Sequence, residues 1–313
     1  MGRKKKGIGE DAVDSSAAST GAKGGKVMPM LLGAALVLAG GLGQRFVLAN
    51  PPAEVIIDMT IDDPSLLFAW YVTNYADGNL DAKTAAGDKA LYNAANYKES
   101  GKPGLEGSGA EHAKGAGRNG SDALRFPVKN TKAIYFKAGK NVNPAEGTIS
   151  FWLKLDPDQD LAPGYCDPLQ VTDKAYNNSA IWVDFTKDDK PRHFRLGVFG
   201  ALKAWNPNNI ESDKNPDFNG RLVVVNKPPF TRSAWTHIAI AYSGLGTPNG
   251  TATLYVNGQP QGKSSPIKEL FDWNMDNATI RLGINYTGLM DDLSTFRRPL
   301  TAKEIAAFTK KGL

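Results

Sequence analysis

The sequence contains almost no cysteine, the residue on which disulfide-stabilised proteins and thiol enzymes depend. Its 313 residues include one cysteine, Cys166. A single cysteine cannot close an intramolecular disulfide, and Pro163, Gly164 and Pro168 around it predict a loop. No histidine lies near it in the sequence, so the thiol is predicted to be inert rather than nucleophilic.

Motifs for metal-dependent or serine-dependent catalysis are also missing. The three histidines, His112, His193 and His237, share no metal-ligand spacing, and no Gly-x-Ser-x-Gly nucleophile elbow occurs. A retaining glycosidase needs two carboxyl groups about 5 Å apart on one face. No strand-like run of the chain carries two acids at that spacing.

Two acid pairs come closest to that pattern. Pro157 between Asp156 and Asp158 predicts a turn instead of a catalytic strand. Asp291 and Asp292 are adjacent, and neighbouring residues of a strand point to opposite faces. We therefore predict a protein without catalytic residues.

A nucleic-acid partner is excluded by the charge of the body. Residues 1–49 carry seven Lys and Arg and three acids, which leaves 30 basic and 29 acidic residues in the remaining 264. The sequence pI near 9 therefore arises from the amino-terminal segment. A nearly neutral body has no basic surface to attract phosphates.

The amino-terminal segment resembles a targeting signal. Residues 1–26 are basic, small and polar, and predict a disordered leader. Residues 27–49 contain an uncharged apolar stretch directly after Lys26, which predicts a hydrophobic helix. This helix is either a signal peptide cleaved after Ala49 or an uncleaved membrane anchor. Both alternatives place the body outside the cytoplasm, secreted or membrane-anchored.

Residues 50–313 are predicted to form one all-β domain, with a loop-rich segment at 76–120. Short β-rich runs alternate with Gly, Pro and Asn clusters throughout this part. The predicted strands are 66–72, 122–126, 133–137, 147–155, 180–185, 194–200, 221–225, 236–242, 251–256, 278–283 and 288–296. Asn257-Gly258 predicts a tight hairpin turn, and Thr301 with Glu304 predicts a capping box on a short carboxyl-terminal helix.

Three blocks in series resemble the laminin G-like domains of the concanavalin A-like lectin/glucanase superfamily. They are 122–156 with its "GTISFWLKLD" strand, 235–262 with its Trp-Thr-His strand and "LYVNGQ" hairpin, and 278–305 with "GLMDDLSTFRRPL". The resemblance implies a two-sheet antiparallel β-sandwich, a jelly roll. Because this superfamily also includes glucanases, a divergent glycoside hydrolase or lyase stays as an alternative.

A polar loop at 201–220 holds the candidate ligand-binding residues. An exposed indole of Trp205 would stack on a sugar, with the neighbouring amides of Asn206, Asn208 and Asn209 bonding its hydroxyl groups. The alternative is that Trp205 merely covers the edge of the sandwich.

Calcium is the one cofactor for which candidate ligands occur, because some laminin G-like domains hold hard cations. The candidates are Asp184 on its predicted strand and Asp213 and Asp217 in the polar loop. Acids that are merely solvated in loops are the alternative, since no spaced calcium loop is present.

These observations lead to one functional hypothesis and two alternatives. We predict a non-catalytic extracytoplasmic module that recognises a glycan or a cell-surface protein, held at the membrane by residues 27–49 if they are uncleaved. The alternatives are the hydrolase or lyase and a structural envelope protein whose sandwich packs against copies of itself.

Overall fold

A computed structural model describes residues 66–70, 83–84, 92–95, 98–103, 105, 108–129 and 132–311. The predicted leader 1–26 and the predicted hydrophobic helix within 27–49 lie outside the described residues, as does much of the segment 76–120. In the part of the chain that the structure describes, no helix combines the length and the apolar character needed to cross a membrane.

Short strands dominate the described ranges. They are β1 (Leu66–Trp70), β2 (Lys83–Thr84), β3 (Tyr92–Ala95), β4 (Lys98–Pro103), β5 (Glu111–Ala113), β6 (Ala123–Phe126), β7 (Lys132–Lys137), β8 (Gly147–Lys154), β9 (Cys166–Thr172), β10 (Ala180–Phe185), β11 (Phe194–Phe199), β12 (Val223–Val225), β13 (Thr236–Ser243), β14 (Thr251–Val256), β15 (Gln259–Lys263), β16 (Thr279–Ile284) and β17 (Gly288–Phe296). The α-helical segments are α1 (Pro157–Asp160), α2 (Leu202–Trp205), α3 (Pro216–Gly220) and α4 (Ala302–Lys311). Short 3-10 turns lie at Arg118–Gly120, Gly139–Asn141 and Ser212–Lys214.

The strands form two antiparallel sheets, which confirms the predicted all-β sandwich. The first sheet has the order β15-β14-β13-β8-β17-β1-β2, with β6 also pairing with β17 and β5 with β6. The second has the order β12-β11-β10-β9-β16-β7-β3-β4. Non-consecutive neighbours in both orders show that the chain crosses repeatedly between the sheets, as in a jelly roll.

Every predicted strand has a counterpart, and the structure adds others, among them β2 to β5 within the segment 76–120 and one strand where a loop was predicted around Cys166. Strand β9 begins at Cys166 and contains Pro168, and its pairing with β10 shifts register between Val183 and Phe185. A register shift of this kind accommodates a proline, which has no N–H to donate. The thiol faces the core, and burial raises the pKa of Cys166 to about 11. The loop prediction at Cys166 was therefore wrong.

The core lies between the two sheets and follows from strand alternation. Ile149, Phe151 and Leu153 of β8 belong to the same buried cluster as Ile181 and Val183 of β10, and all five are fully buried. Burying each such side chain stabilises the fold by about 1.5–3 kcal/mol. The intervening residues point to the outer faces of the sheets, where binding sites can form.

The two predicted local signals at the carboxyl-terminal end are confirmed. Asn257 and Gly258 have φ angles of 49° and 76°, as the tight turn between β14 and β15 requires. The hydroxyl of Thr301 accepts the backbone N–H of Glu304 at 3.3 Å, and the Glu304 carboxylate accepts the Thr301 N–H at 2.7 Å. This capping box starts α4.

The outer face of the first sheet is covered. Trp152 of β8 lies under the guanidinium of Arg118, whose Cζ is 3.6 Å from the ring centroid. His237 of β13 is fully buried between the hydroxyl group of Ser150, 2.8 Å from Nε2, and that of Thr309 on α4, 2.7 Å from Nδ1. This face is therefore closed by α4 and the Arg118 turn.

Asp291 and Asp292 do not point to opposite faces, so that prediction was wrong. Asp292 has a φ angle of 48°, and the pairing of β17 with β8 shifts between Asp291 and Ser294. The bulge brings both carboxylates to Arg118, whose backbone N–H donates to Asp291 at 2.8 Å and whose Nη1 donates to Asp292 at 2.7 Å. The acids anchor the Arg118 turn.

The buried His237 predicts an acid-sensitive stability. Burial, together with the charge of Arg118, lowers the pKa of His237 from 6.5 to about 3. Between those values the unfolded chain binds a proton that the folded chain does not, so acidification favours unfolding. We expect this residue to lower the free energy of unfolding by about 1.4 kcal/mol per pH unit as the pH falls from about 6.5 towards about 3.

Urea unfolding at several pH values checks this prediction. His237→Gln should remove the His237 slope, whereas the same change at the half-buried His193 should keep it. The pKa of Asp291 is raised to about 7 by burial and by Asp292, so its contribution has the opposite sign between pH 3.8 and 7. The contribution of His237 is therefore measured as the free energy of unfolding of wild type minus that of His237→Gln at each pH. Identical pH profiles for these two proteins would contradict the prediction.

Candidate functional site

A groove of about 700 Å³ lies on the outer face of the second sheet. Ile181 and Val183 of β10 face the core. Because successive residues of a strand face opposite sides, Trp182 and Asp184 face outward and line the groove. Its other lining residues include Tyr165, Asp167, Tyr176, Lys187, Arg195, Asn209, Ile210, Glu211, Phe218, Ile284 and Asn285. The groove is therefore built from β9, β10, β11, α3, the end of β16 and the segments that follow β9, β10, α2 and β16.

Three charged residues form a row across the floor. Asp184 on β10 is opposite Arg195 on β11 in the sheet register, and Asp167 on β9 lies beside the register shift that pairs Cys166 with Phe185. Asp184 binds Arg195 through two hydrogen bonds, from Nε at 2.8 Å and from Nη2 at 2.5 Å. A bidentate pair of this kind fixes the guanidinium firmly.

The two floor carboxyls have different partners. Burial and the neighbouring Asp184 charge raise the pKa of Asp167 well above its ordinary value, and Arg195 opposes this only in part. Burial also raises the pKa of Asp184, but the hydrogen bonds from Arg195 oppose the shift. Gln170 donates to Asp167 at 3.2 Å. Asp167 is thus the floor carboxyl that takes up a proton more readily.

Aromatic side chains support the floor. Trp182 lies flat on the sheet above Gly197, and its Nε1 donates to the carbonyl of Tyr176 at 2.7 Å. Phe199 and Phe218 stack on the indole with ring centroids 6.0 Å and 6.5 Å away. These rings form a small outer core with Trp205, which α2 and α3 close.

The upper walls of the groove expose two tyrosine rings and one aliphatic side chain. Tyr165, Tyr176 and Ile210 are 46%, 38% and 44% exposed. Tyrosine rings at the mouth of a groove can stack on the apolar face of a sugar while their hydroxyl groups stay in water.

Asn285 supplies an unused acceptor. It lines the groove directly after β16, and its side-chain oxygen is buried without a hydrogen-bond partner among the described residues. Leaving such a group unpaired costs about 1–3 kcal/mol. A ligand that donates a hydrogen bond to it would remove this cost.

The structure separates the predicted ligand-binding residues. Asn209 lines the groove. Trp205 is 5% exposed and donates through Nε1 to Asn177, so its ring belongs to the outer core and covers the sheet. Asn206 is buried and bonds the backbone of Ile210 twice, at 2.9 Å each. Asn208 is exposed and is not one of the groove-lining residues.

The predicted calcium ligands are not brought together as one set. Asp184 lies on the groove floor and is paired with Arg195. Asp217 is exposed on α3, and Asp213 lies in the turn Ser212–Lys214. The described ranges hold no cluster of three or more His, Cys, Asp and Glu residues arranged to bind a metal ion.

Sequence reasoning missed Asp167, Arg195 and Asn285 as site residues. Asp167 was missed because Pro168 suggested a loop, and only β9 places it beside Asp184. Arg195 carries a usable signal: it is the one charged residue in the apolar run "FRLGVFG", at an outward position. Asn285 stands in an Asn-x-Ser/Thr glycosylation sequon, a pattern that does not by itself indicate a ligand-binding role.

The packing of Trp182 on Gly197 predicts a mutational effect on the groove. A Cβ at position 197 would lie 2.2 Å from Cζ2 of Trp182. Gly197→Ala is therefore expected to push the indole off the floor and to lower the free energy of unfolding by about 1–3 kcal/mol. Urea unfolding followed by tryptophan fluorescence measures both effects. Gly220→Ala, where the new methyl group meets open space, is the control, and equal stability of the two variants would contradict the packing argument.

Comparison with known proteins supports the fold. A family model for laminin G-like domains, described as the concanavalin A-like lectin/glucanases superfamily, matches residues 128–306. No curated protein matches the chain in sequence.

Three solved structures show the similarity in three dimensions. The ligand binding domain of botulinum neurotoxin serotype D, in complex with N-acetylneuraminic acid, has a TM-score of 0.51 at 12% identity, over 79% of this chain and 51% of that chain. A second structure of the serotype D binding domain has a TM-score of 0.50 at 11% identity, over 79% and 52%. Domain 4 of AbnA, a GH43 extracellular arabinanase from Geobacillus stearothermophilus, in complex with arabinotriose, has a TM-score of 0.48 at 17% identity, over 78% and 98%. The chain spans about half the length of the toxin domains, and at these identities the similarity concerns the fold alone.

Proposed function

Because the chain belongs to the laminin G-like domains of the concanavalin A-like lectin/glucanases superfamily, we propose that it is a non-catalytic binding module whose ligand is a glycan. The ligand lies in the groove on the outer face of the second sheet, with Asp167, Asp184 and Arg195 beneath it. The module works outside the cytoplasm, secreted or anchored through residues 27–49.

The buried, unpartnered oxygen of Asn285 is the observation that carries this proposal. A glycan offers many hydroxyl donors, and one of them satisfies this acceptor. The same ligand offers flat C–H faces for the exposed rings of Tyr165 and Tyr176. A concave groove that combines several polar side chains with exposed aromatic walls suits a glycan, which offers both hydroxyl groups and C–H faces.

Removal of the Asn285 side chain tests the proposal. The full chain is titrated with a panel of oligosaccharides on an array and by calorimetry. Asn285 has a φ angle of 56°, so Asn285→Gly removes the amide without straining the backbone. We expect an affinity loss of about tenfold, the lower part of the range for one buried hydrogen bond.

Asn119→Gly is the matched control. Asn119 has a φ angle of 52°, is exposed and lies outside the groove, so this change should keep the wild-type affinity. Uniform absence of glycan binding, with and without calcium, would overturn the proposed function. If Asn285→Gly binds the glycan as strongly as wild type, the ligand-binding site must lie outside this groove.

A divergent glycoside hydrolase is favoured by one observation, the neighbouring carboxyl groups of Asp167 and Asp184 in the groove. A glycosidase uses one protonated and one ionised carboxyl group, and these two have different partners. Asp184 is held in a bidentate pair with Arg195, so its carboxylate is not free to act as a nucleophile. For this reason a binding module is our first choice. Incubation with polysaccharides and an assay for new reducing ends separates the two: turnover that is lost in Asp167→Asn would establish the hydrolase.

A further inference from the structure

We infer that the Asp184–Arg195 pair sets the charge selectivity of the groove, so that it binds uncharged glycans and rejects acidic ones. This inference rests on the proposed glycan-binding function and names the ligand class. It depends on which groups of the groove are still free to bind a ligand.

Arg195 is a half-buried cation of the floor, and one of its two binding edges is occupied. Nε and Nη2 donate to the two carboxylate oxygens of Asp184 at 2.8 Å and 2.5 Å. The guanidinium carbon lies 5.0 Å from the ring centroid of Tyr165 and 5.8 Å from that of Trp182. Asp184 therefore holds the Nε–Nη2 edge and cancels the guanidinium charge on the floor, so a ligand carboxylate can reach only the Nη1–Nη2 edge of an already neutralised cation.

The remaining charges of the groove lie in its walls and are exposed to water. Lys187 is next to Asp188, with Nζ and carboxylate oxygen 3.9 Å apart, and Glu211 pairs with Lys214 at 2.6 Å. The side chains of these four residues are between 57% and 70% exposed. Exposed pairs of this kind contribute little to binding because water and salt screen them.

An acidic sugar would thus lose water from its carboxylate on the floor and would meet there only a cation whose charge Asp184 already neutralises. It would also lie close to the charge of Asp184 and, once that carboxyl has lost its proton, to the charge of Asp167, and both repel it. An uncharged sugar has neither penalty, and its hydroxyl groups can bond Asp167 and the oxygen of Asn285. The floor is thus built for hydroxyl groups rather than for carboxylates.

Matched ligands test this inference. The full chain, produced in a host that does not N-glycosylate, is titrated with galacto-oligosaccharides and with oligogalacturonides of the same length. We expect the neutral series to bind at least about tenfold more tightly, since an unpaired, desolvated charge is a strong negative determinant.

Asp184→Asn is the decisive variant, because it frees the edge of Arg195 and removes one negative charge. We expect the ratio of neutral to acidic affinity to fall by about tenfold or to invert. Asp276→Asn makes the same change of charge at an exposed acid outside the groove and should leave the ratio unchanged. If Asp184→Asn does not fold, Asp167→Asn removes the second floor carboxyl and keeps the ion pair, and it should lower the ratio by about threefold.

The outcomes separate the two proposals. If neither series nor any other glycan binds, the proposed function itself fails. If wild type binds both series equally, the groove binds glycans but the inferred selectivity is wrong. A ratio that stays the same in a folded Asp184→Asn, or in Asp167→Asn when the first variant does not fold, would overturn the role of the floor charges.

Discussion

Gly283→Ala is expected to lower the free energy of unfolding by about 4 kcal/mol, the largest effect of one added methyl group that the structure predicts. Gly283 has a φ angle of 83°, a conformation that strains any side chain. A Cβ there would lie within 2 Å of the Phe126 ring, at 1.9 Å from Cε1. Strain and overlap add, because the backbone cannot relieve one without increasing the other.

This glycine also decides which side of the sheet the next residues face. Leu282 lies in the core between the sheets, whereas Ile284 and Asn285 line the groove. The left-handed turn at Gly283 breaks the simple alternation and sends Ile284 outward. A variant that folds by changing the left-handed conformation at Gly283 should therefore also lose glycan binding.

Urea unfolding measures the stability effect, with Gly220→Ala as the control. Gly220 has open space around the new methyl group and no left-handed φ angle, so its variant should stay within about 0.5 kcal/mol of wild type. A loss below about 1 kcal/mol in Gly283→Ala would show that the left-handed conformation at Gly283 is not needed for the fold.

Arg192→Met is expected to lower the free energy of unfolding by about 3–5 kcal/mol. Arg192 is 4% exposed, and its guanidinium donates to four backbone carbonyl groups, those of Leu161, Ala162, Gly164 and Thr186. Methionine keeps much of the apolar volume but donates no hydrogen bond. Several buried carbonyl groups would then be left without their donors.

We expect Arg192→Met to alter the groove as well as the stability of the fold. The carbonyl groups held by Arg192 belong in part to residues 161–164, the segment that leads into Tyr165. We expect Arg192→Met to weaken glycan binding by releasing this wall, even at temperatures where the variant stays folded. Arg297→Met, at an exposed arginine, is the control for the lost charge. Equal urea midpoints for the two variants would contradict the structural role of Arg192.

Local signals were sufficient where neighbouring residues alone decide the outcome. The strands at 180–185 and 251–256, the turn at Asn257-Gly258 and the capping box of α4 depend on periodicity and on contacts within a few residues. Such features need no distant partner, so composition and spacing predict them well. The predicted sandwich followed from their number and from the family resemblance.

Features that depend on distant pairing escaped prediction. Pro168 argued against a strand at Cys166, but a register shift with β10 accommodates it. Alternation predicted that Asp291 and Asp292 diverge, but a bulge turns both towards Arg118, more than 170 residues earlier in the chain. In both places a local rule was overridden by an irregularity in strand pairing, which a single sequence does not display.

The sequence by itself determined the two-layer β-sandwich, because alternating apolar residues must be buried between two sheets whatever the order of the strands. It did not determine the groove. No strand was predicted to carry two acids on one face, yet pairing places Asp167 of β9 and Asp184 of β10 side by side. Only the tertiary structure decided this site, because its charges come from different strands, and lateral neighbours across a sheet are set by long-range hydrogen bonding rather than by spacing along the chain.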